Sequence, residues 1–327
     1  MELTVGATPP LEMMIDRLQP CLVPPLFGAR AVSDLRALAG ELPPARYLLF
    51  EHHLGAGAGR TDVSIGKMTA IPACLGVRTW VEHDGPVLLE YDLHDGPALA
   101  GIFATFSPRA PASETALRSL VDGLPGARSL RARRMIARAA AAQVEGESWI
   151  THLGVMLGRP GSPVRVNVGF HRAEALRAFV EALDPGAPVV ASLDRLLGLF
   201  EDAGGIRIAA IDLVERLESR IGLECHFPVD DGTWEKLVAH LVAGALCTPE
   251  EGAAICRWPS EKDADAQAWP EPFHSLDLLL GPQSGGRLFR SINHLKLVAE
   301  ADGAIRAKIY LAATYLRDGV AGSELAA

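Results

Sequence analysis

Extended segments recur along this chain in pairs, joined by turns too tight for anything but a reversal of direction, and this feature constrains the fold most. Residues 46–54 and 63–67 flank Gly55-Ala-Gly-Ala-Gly59, residues 77–83 and 87–94 flank Asp84-Gly85-Pro86, and residues 149–157 and 164–171 flank Gly158-Arg-Pro-Gly161. A fourth pair, 206–214 and 220–227, follows Gly204-Gly205, and a fifth, 292–300 and 306–315, brackets Ala301-Asp302-Gly303. Strands joined by hairpins run antiparallel, which excludes a doubly wound parallel sheet with helical crossovers. Between the pairs the apolar period lengthens to that of a helix, at 114–124, 130–142, 173–183, 193–202, 233–246 and 249–257. The fold class expected is therefore α+β: an antiparallel β-barrel of about ten strands surrounded by helix pairs, wide enough to enclose a lumen. The chain reads as one domain, 1–327, in which a Pro-rich helical segment, 1–44, precedes the barrel at 45–318.

Composition narrows the partners. With 49% hydrophobic residues in 327 positions, the chain has ample material for a core. A net charge of −9 argues against nucleic acid, whose phosphates need a basic surface. The first residues lack a basic-then-apolar leader, and no apolar run approaches the roughly 20 residues of a membrane span, so a soluble, cytoplasmic protein is expected. Five scattered cysteines form no CxxC pair, which supports neither a disulfide framework nor a zinc site.

Side chains alternate along a strand, and the polar alternates must line either solvent or a cavity. His294 and Lys296 share one face of their segment, and Lys308 and Tyr310 share one face of the next. Arg165, Asn167 and His171 alternate with valines and Phe170, Glu224 and His226 with Leu223 and Cys225, and Glu90 and Asp92 with Leu89 and Tyr91. Only five lysines occur in the whole chain, so two of them on adjacent strands beside a tyrosine stand out as a site for a multiply charged anion. Other patterns carry less. Gly55-Ala-Gly-Ala-Gly59 has no helix after it to hold a pyrophosphate, and the adjacent His52 and His53 point to opposite faces, so they cannot share a metal. Asp230-Asp231-Gly-Thr-Trp-Glu235 reads as a helix start with Asp231 or Thr233 as the cap.

Repeated αββα units closing a ten-stranded barrel resemble the ABBA-type aromatic and peptide prenyltransferases, the group of the dimethylallyltryptophan synthases. Asp84-Gly-Pro-Val-Leu-Leu-Glu90-Tyr is similar to the early strand whose glutamate holds the acceptor N–H. Ile211-Asp-Leu-Val214 with Ser219-Arg-Ile-Gly-Leu-Glu224 is similar to their Asp-x-x…Ser-Arg stretch, and Ala307-Lys308-Ile-Tyr310 to their Lys-x-Tyr. Two departures stand out: Arg165-x-Asn167 replaces one Lys-x-Tyr, and Gly222 and Glu224 replace another. The resemblance implies transfer of an allylic group from a prenyl diphosphate to an aromatic or peptide acceptor. In it Glu90 and Tyr310 are catalytic, and Arg165, Asn167, Glu224, His226, His294, Lys296 and Lys308 bind substrate. It implies no resident metal and no cofactor beyond Mg²⁺ accompanying the diphosphate, and neither a nucleic-acid nor a membrane partner. The alternative keeps the barrel without the prenyl donor, as an enzyme or binding protein for a peptide or natural-product intermediate, with Glu90, Glu224, His226 and His294 as acid–base groups.

Overall fold

The computed structural model describes residues 8–55, 59–68, 87–93, 98–106, 117, 130–143, 146–158, 164–183, 187–199, 206–213, 217–226, 232–259, 286–300 and 303–317. Ten strands form a closed antiparallel barrel: β1 (Ala45–His53), β2 (Thr61–Met68), β3 (Val87–Asp92), β4 (Ala98–Thr105), β5 (Ser148–Val155), β6 (Val164–Phe170), β7 (Ile206–Leu213), β8 (Leu217–His226), β9 (Gly286–Ala299) and β10 (Ile305–Arg317). Each strand pairs with the next in sequence, and β1 closes the ring against β10. Seven α-helices lie among the described residues: α1 (Leu11–Leu18), α2 (Ala29–Ala39), α3 (Leu130–Ala141), α4 (Ala173–Ala182), α5 (Ala187–Leu199), α6 (Thr233–Ala243) and α7 (Pro249–Arg257). None is long and apolar enough to cross a membrane. The antiparallel barrel ringed by helices is the architecture that the hairpins and the family resemblance imply.

The chain departs from the sequence reading at β4, α5 and α6, and at β9, which begins at Gly286 and not at 292. The strand at 77–83 and most of the helix at 114–124 lie outside the described residues. The downstream partner of β3 is β4, whose sequence Ala-Leu-Ala-Gly-Ile-Phe-Ala-Thr lacks the polar alternation that marks a half-buried strand. Helix α5 begins at Ala187, six residues before the expected start at 193, because Pro188 falls in the first turn, where its missing N–H has no helical partner to lose. The cap of α6 is Gly232, in the left-handed region at φ 91, and Thr233 is the first helical residue; Asp231 lies outside the described residues.

The two faces of the barrel wall have opposite chemistry. Leu48 and Phe50 of β1, Val166 and Val168 of β6, Leu295 and Leu297 of β9 and Ile309 and Leu311 of β10 point outward. They join Leu11, Met14, Leu35, Phe179, Leu196, Trp234 and Ile255 from the helices in one continuous apolar core. Phe27 anchors it, edge-on to Phe50 at 5.1 Å and tilted against Trp258 at 5.7 Å. At α7, Thr248 and Glu251 form a capping box, and the Glu251 carboxylate also accepts the Gly55 N–H at 3.0 Å, which ties the β1–β2 turn to the helical shell. Inside the ring, among the described residues, Leu49, Tyr310 and Ala312, with Tyr47 against them, form a separate small apolar cluster. The charged residues share this inward face with glycines and with Phe103 and Trp149.

Inward glycines lie beneath large cross-strand neighbours. A methyl built on Gly169 would stand 2.6 Å from the Trp149 indole, and one on Gly154 would meet the Phe103 ring and lie 2.6 Å from the Ile102 carbonyl oxygen. Backbone cannot yield as a flexible side chain can, so Gly154→Ala is expected to lower stability by about 1–3 kcal/mol in urea denaturation. Gly198→Ala, in α5 with nothing within 4 Å of the added methyl, is expected to raise it by roughly 0.5–1 kcal/mol.

Candidate functional site

Register places the inward polar residues in two adjacent rows. In one, His53 of β1, Lys308 of β10, Lys296 of β9 and Glu224 of β8 stand directly opposite one another. In the other, Asp92 of β3, Asp62 of β2, Glu51 of β1, Tyr310 of β10 and His294 of β9 do the same. Lysines directly opposed in a sheet repel each other, and here both are buried. A carboxylate on either side offsets the repulsion: Glu224 accepts from Lys296 Nζ at 2.9 Å, and Glu51 accepts from Lys308 Nζ. The second oxygen of Glu51 accepts the Tyr310 hydroxyl.

These contacts set the protonation states. Burial alone would raise the Glu224 carboxyl, but the Lys296 ammonium and its hydrogen bond, with the His294 and His226 rings, together outweigh it and bring the group down to about 2. Burial also opposes ionisation of Glu51, and Lys308 with His53 overrides it, so Glu51 lies well below the ordinary value. Tyr310 is raised, first by burial and then by the Glu51 charge. The His294 and His226 rings are pushed down by burial, which keeps them neutral despite the pull of Glu224. The His294 ring stacks on Tyr310 with centroids 3.9 Å apart, and His226 lies 4.7 Å from it on β8.

A second cluster occupies the wall beside Lys308. His53 Nε2 stands 3.3 Å from Glu51 and 3.6 Å from Asp62, and Arg60 donates to Asp92 at 2.9 Å. Burial first, then the Asp92 hydrogen bond and the Glu51 charge, push Asp62 up to about 10, so it is a neutral acid at physiological pH. The ligand atoms of Glu51, His53 and Asp62 lie within 4.8 Å of one another. They do not suit Mg²⁺, which wants ionised oxygen ligands and near-octahedral room. One of the three donors is the His53 ring nitrogen, and both Glu51 oxygens are already taken by Lys308 and Tyr310.

The structure thus gathers Glu224, His226, His294, Lys296, Lys308 and Tyr310 from the sequence reading into one buried patch spanning β8 to β10. Glu90 is half-buried on β3 opposite Ser64, and its charge reaches Tyr310. Arg165 and Asn167 stand apart, on β6, with β7 and β8 between them and the lysine strands. Arg165 is half-buried opposite Gly154, and Asn167 is buried with its carbonyl accepting from Thr151 Oγ1 at 3.1 Å. His171 lies just beyond the end of β6, exposed, with its ring 4.8 Å from that of Trp149. His52 faces the outer core, edge-on to Phe27 at 4.4 Å, and His53 faces inward, so the two histidines do diverge. Sequence reasoning missed Glu51, His53 and Asp62. The available signal for the first two was the alternation of Tyr47, Leu49, Glu51 and His53 on one face of β1.

No protein-family model matches the chain, and no curated protein does. Among solved structures it is similar to AnaPT from Neosartorya fischeri, at 12% identity and a TM-score of 0.47, over 94% of this chain and 92% of that one. It is similar to NotF prenyltransferase at 10% identity and a TM-score of 0.48, over 91% of each.

Two outcomes follow for the charged patch. Glu224→Leu leaves a buried ammonium unpaired and is expected to cost about 3–5 kcal/mol, whereas adding Lys296→Met is expected to restore stability to near wild type. Because Glu224 is depressed in the folded state, its contribution is full above its ordinary value of 4.5 and is lost as pH falls toward 2. The double variant should therefore lose less stability than wild type across that window. For Asp62 the sign is opposite: a raised carboxyl makes folding costlier as pH climbs above its ordinary 3.8. Asp62→Asn is expected to raise the melting temperature at mildly alkaline pH, with the difference closing in acid.

Proposed function

We propose that the lumen transfers an allylic group from a prenyl diphosphate to an aromatic or peptide acceptor. The observation that carries this reading is the pair of buried lysines in direct register, with Tyr310 two residues along on the same face. In this reading Lys296 and Lys308 receive the diphosphate as its C–O bond breaks, where ammonium groups fixed in advance stabilise the growing charge. Tyr310, with His294 stacked on it, offers a π face to the allylic cation. The closed wall excludes the water that would otherwise quench it. Glu90, in electrostatic reach of Tyr310, orients the acceptor, and Arg165 and Asn167 meet it from across the barrel. The carboxylates impose a condition: each lysine is already neutralised, so the diphosphate must displace Glu51 or Glu224 or arrive with its own counter-charge. Mg²⁺ enters this reading only as that counter-charge, bound to the substrate.

The same carboxylates favour a second reading, in which the barrel is a non-prenylating enzyme or binding protein for a peptide or natural-product intermediate. There Glu224, His226 and His294 exchange protons with the ligand, and the lysines only set their charge.

Thermal melting in dimethylallyl or geranyl diphosphate separates the two. A ligand selective for the folded state stabilises it by mass action, about 2.7 kcal/mol at a hundred times its dissociation constant. Prenyl transfer predicts a rise in melting temperature that saturates at millimolar diphosphate and is lost in Lys308→Gln. No rise in wild type leaves the second reading.

A further inference from the structure

Neighbouring residues of a strand point to opposite faces, yet Asn293 Oδ1 and His294 Nδ1 lie 2.6 Å apart. The reason is a bulge: Tyr310 pairs with His294 and Leu311 with Ile292, which leaves Asn293 without a partner in the ladder. Its amide nitrogen donates to Tyr47 Oη at 3.2 Å, so its oxygen is presented to the imidazole. Nδ1 must then carry the ring proton, an assignment made from the hydrogen-bond network. The other nitrogen, Nε2, keeps a bare lone pair. It is buried, has no hydrogen-bond partner among the described residues, and stands 3.8 Å from a Glu224 oxygen. Two buried acceptors facing each other attract whatever donor can lie between them, because a buried acceptor left unsatisfied is costly.

We propose that His294 Nε2, with Glu224, receives the N–H or O–H of the acceptor substrate and takes its proton. Binding of that donor stands on the geometry alone, and the proton transfer rests on the prenyl-transfer reading. As the new bond forms between the acceptor atom and the allylic carbon, the diphosphate leaves with the electron pair of the broken C–O bond. The acceptor's proton passes to Nε2, and the imidazolium so formed lies against the Glu224 carboxylate. The ring is fixed for this role by Tyr310 on one face and His226 near the other. The charges acting on it come from Glu224 and His226 on β8, Glu51 on β1 and Lys296 on its own strand, and burial with His226 and Lys296 keeps it neutral before reaction.

The test has an arm that needs no ligand. In the full chain labelled with nitrogen-15 histidine, the signal that disappears in His294→Phe is expected to be that of a neutral ring protonated at Nδ1, and Asn293→Leu is expected to abolish that preference. A ring protonated at Nε2 in wild type overturns the proposal. In the second arm, calorimetry compares indole with N-methylindole. Wild type is expected to bind indole about tenfold more tightly, the effect of one hydrogen bond to a buried polar partner, and His294→Phe, which keeps the stack, to bind the two alike. Equal affinities in wild type, no binding of either probe at millimolar concentration, or an undiminished preference in a folded His294→Phe overturns it. A retained preference for indole in a protein whose melting ignores allylic diphosphates overturns prenyl transfer and leaves the donor site standing.

Discussion

Two ammonium groups held side by side inside a closed barrel are tolerable only if opposite charge is built into the strands around them. Lys296 and Lys308 are opposed in register, and the sequence answers with Glu224 on one flanking strand and Glu51 on the other. Glu51 lies on β1 and Lys308 on β10, the two strands whose pairing closes the ring. An ion pair that organises the lumen therefore spans the seam on which the fold depends. Chemistry and closure share residues here, and a change at Glu51 acts on both.

The balance of charge also says what a ligand must bring. Within the patch each cation has an anion, and the rings between them are neutral. A polyanion gains little from such a lumen unless it breaks a pair, whereas a donor N–H or O–H meets His294 Nε2, which has no hydrogen-bond partner among the described residues. Beside this patch Asp62 retains its proton, so one acid in the wall adds no charge of its own. The patch is thus rich in ionisable groups and close to electrically balanced.

Much of the architecture was legible in the sequence because tight turns and period changes are local signals. Four of the five hairpins fall where the turns mark them, and α7 begins and ends where its Pro and periodicity place it. β4 escaped because its small and apolar residues face the shell and a crowded lumen with no alternation to read. The lysine–tyrosine–histidine face was legible from period-two spacing alone. Glu51 was not, since its importance comes from a pairing between residues 51 and 308 that no local window contains. Nor was the His294 tautomer, which follows from a bulge that spacing cannot reveal.

That bulge has a consequence for how such chains can diverge. In a regular strand the count of residues fixes which side chains face inward, and a single unpaired residue changes that parity for everything on one side of it. From Lys296 and His294 onward to Ala299 the inward set obeys one phase, and from Ile292 back to Gly286 it obeys the other. A chain that lost one residue at 293 would have a regular ladder and nearly the same composition. Ile292 and His294 would then be neighbours on opposite faces, so both halves of β9 would keep their phase and only the contact that fixes the imidazole would be lost. A residue lost or gained elsewhere along β9 would put one side of the strand out of phase, so the one residue it can give up from its length is the one that aims its histidine.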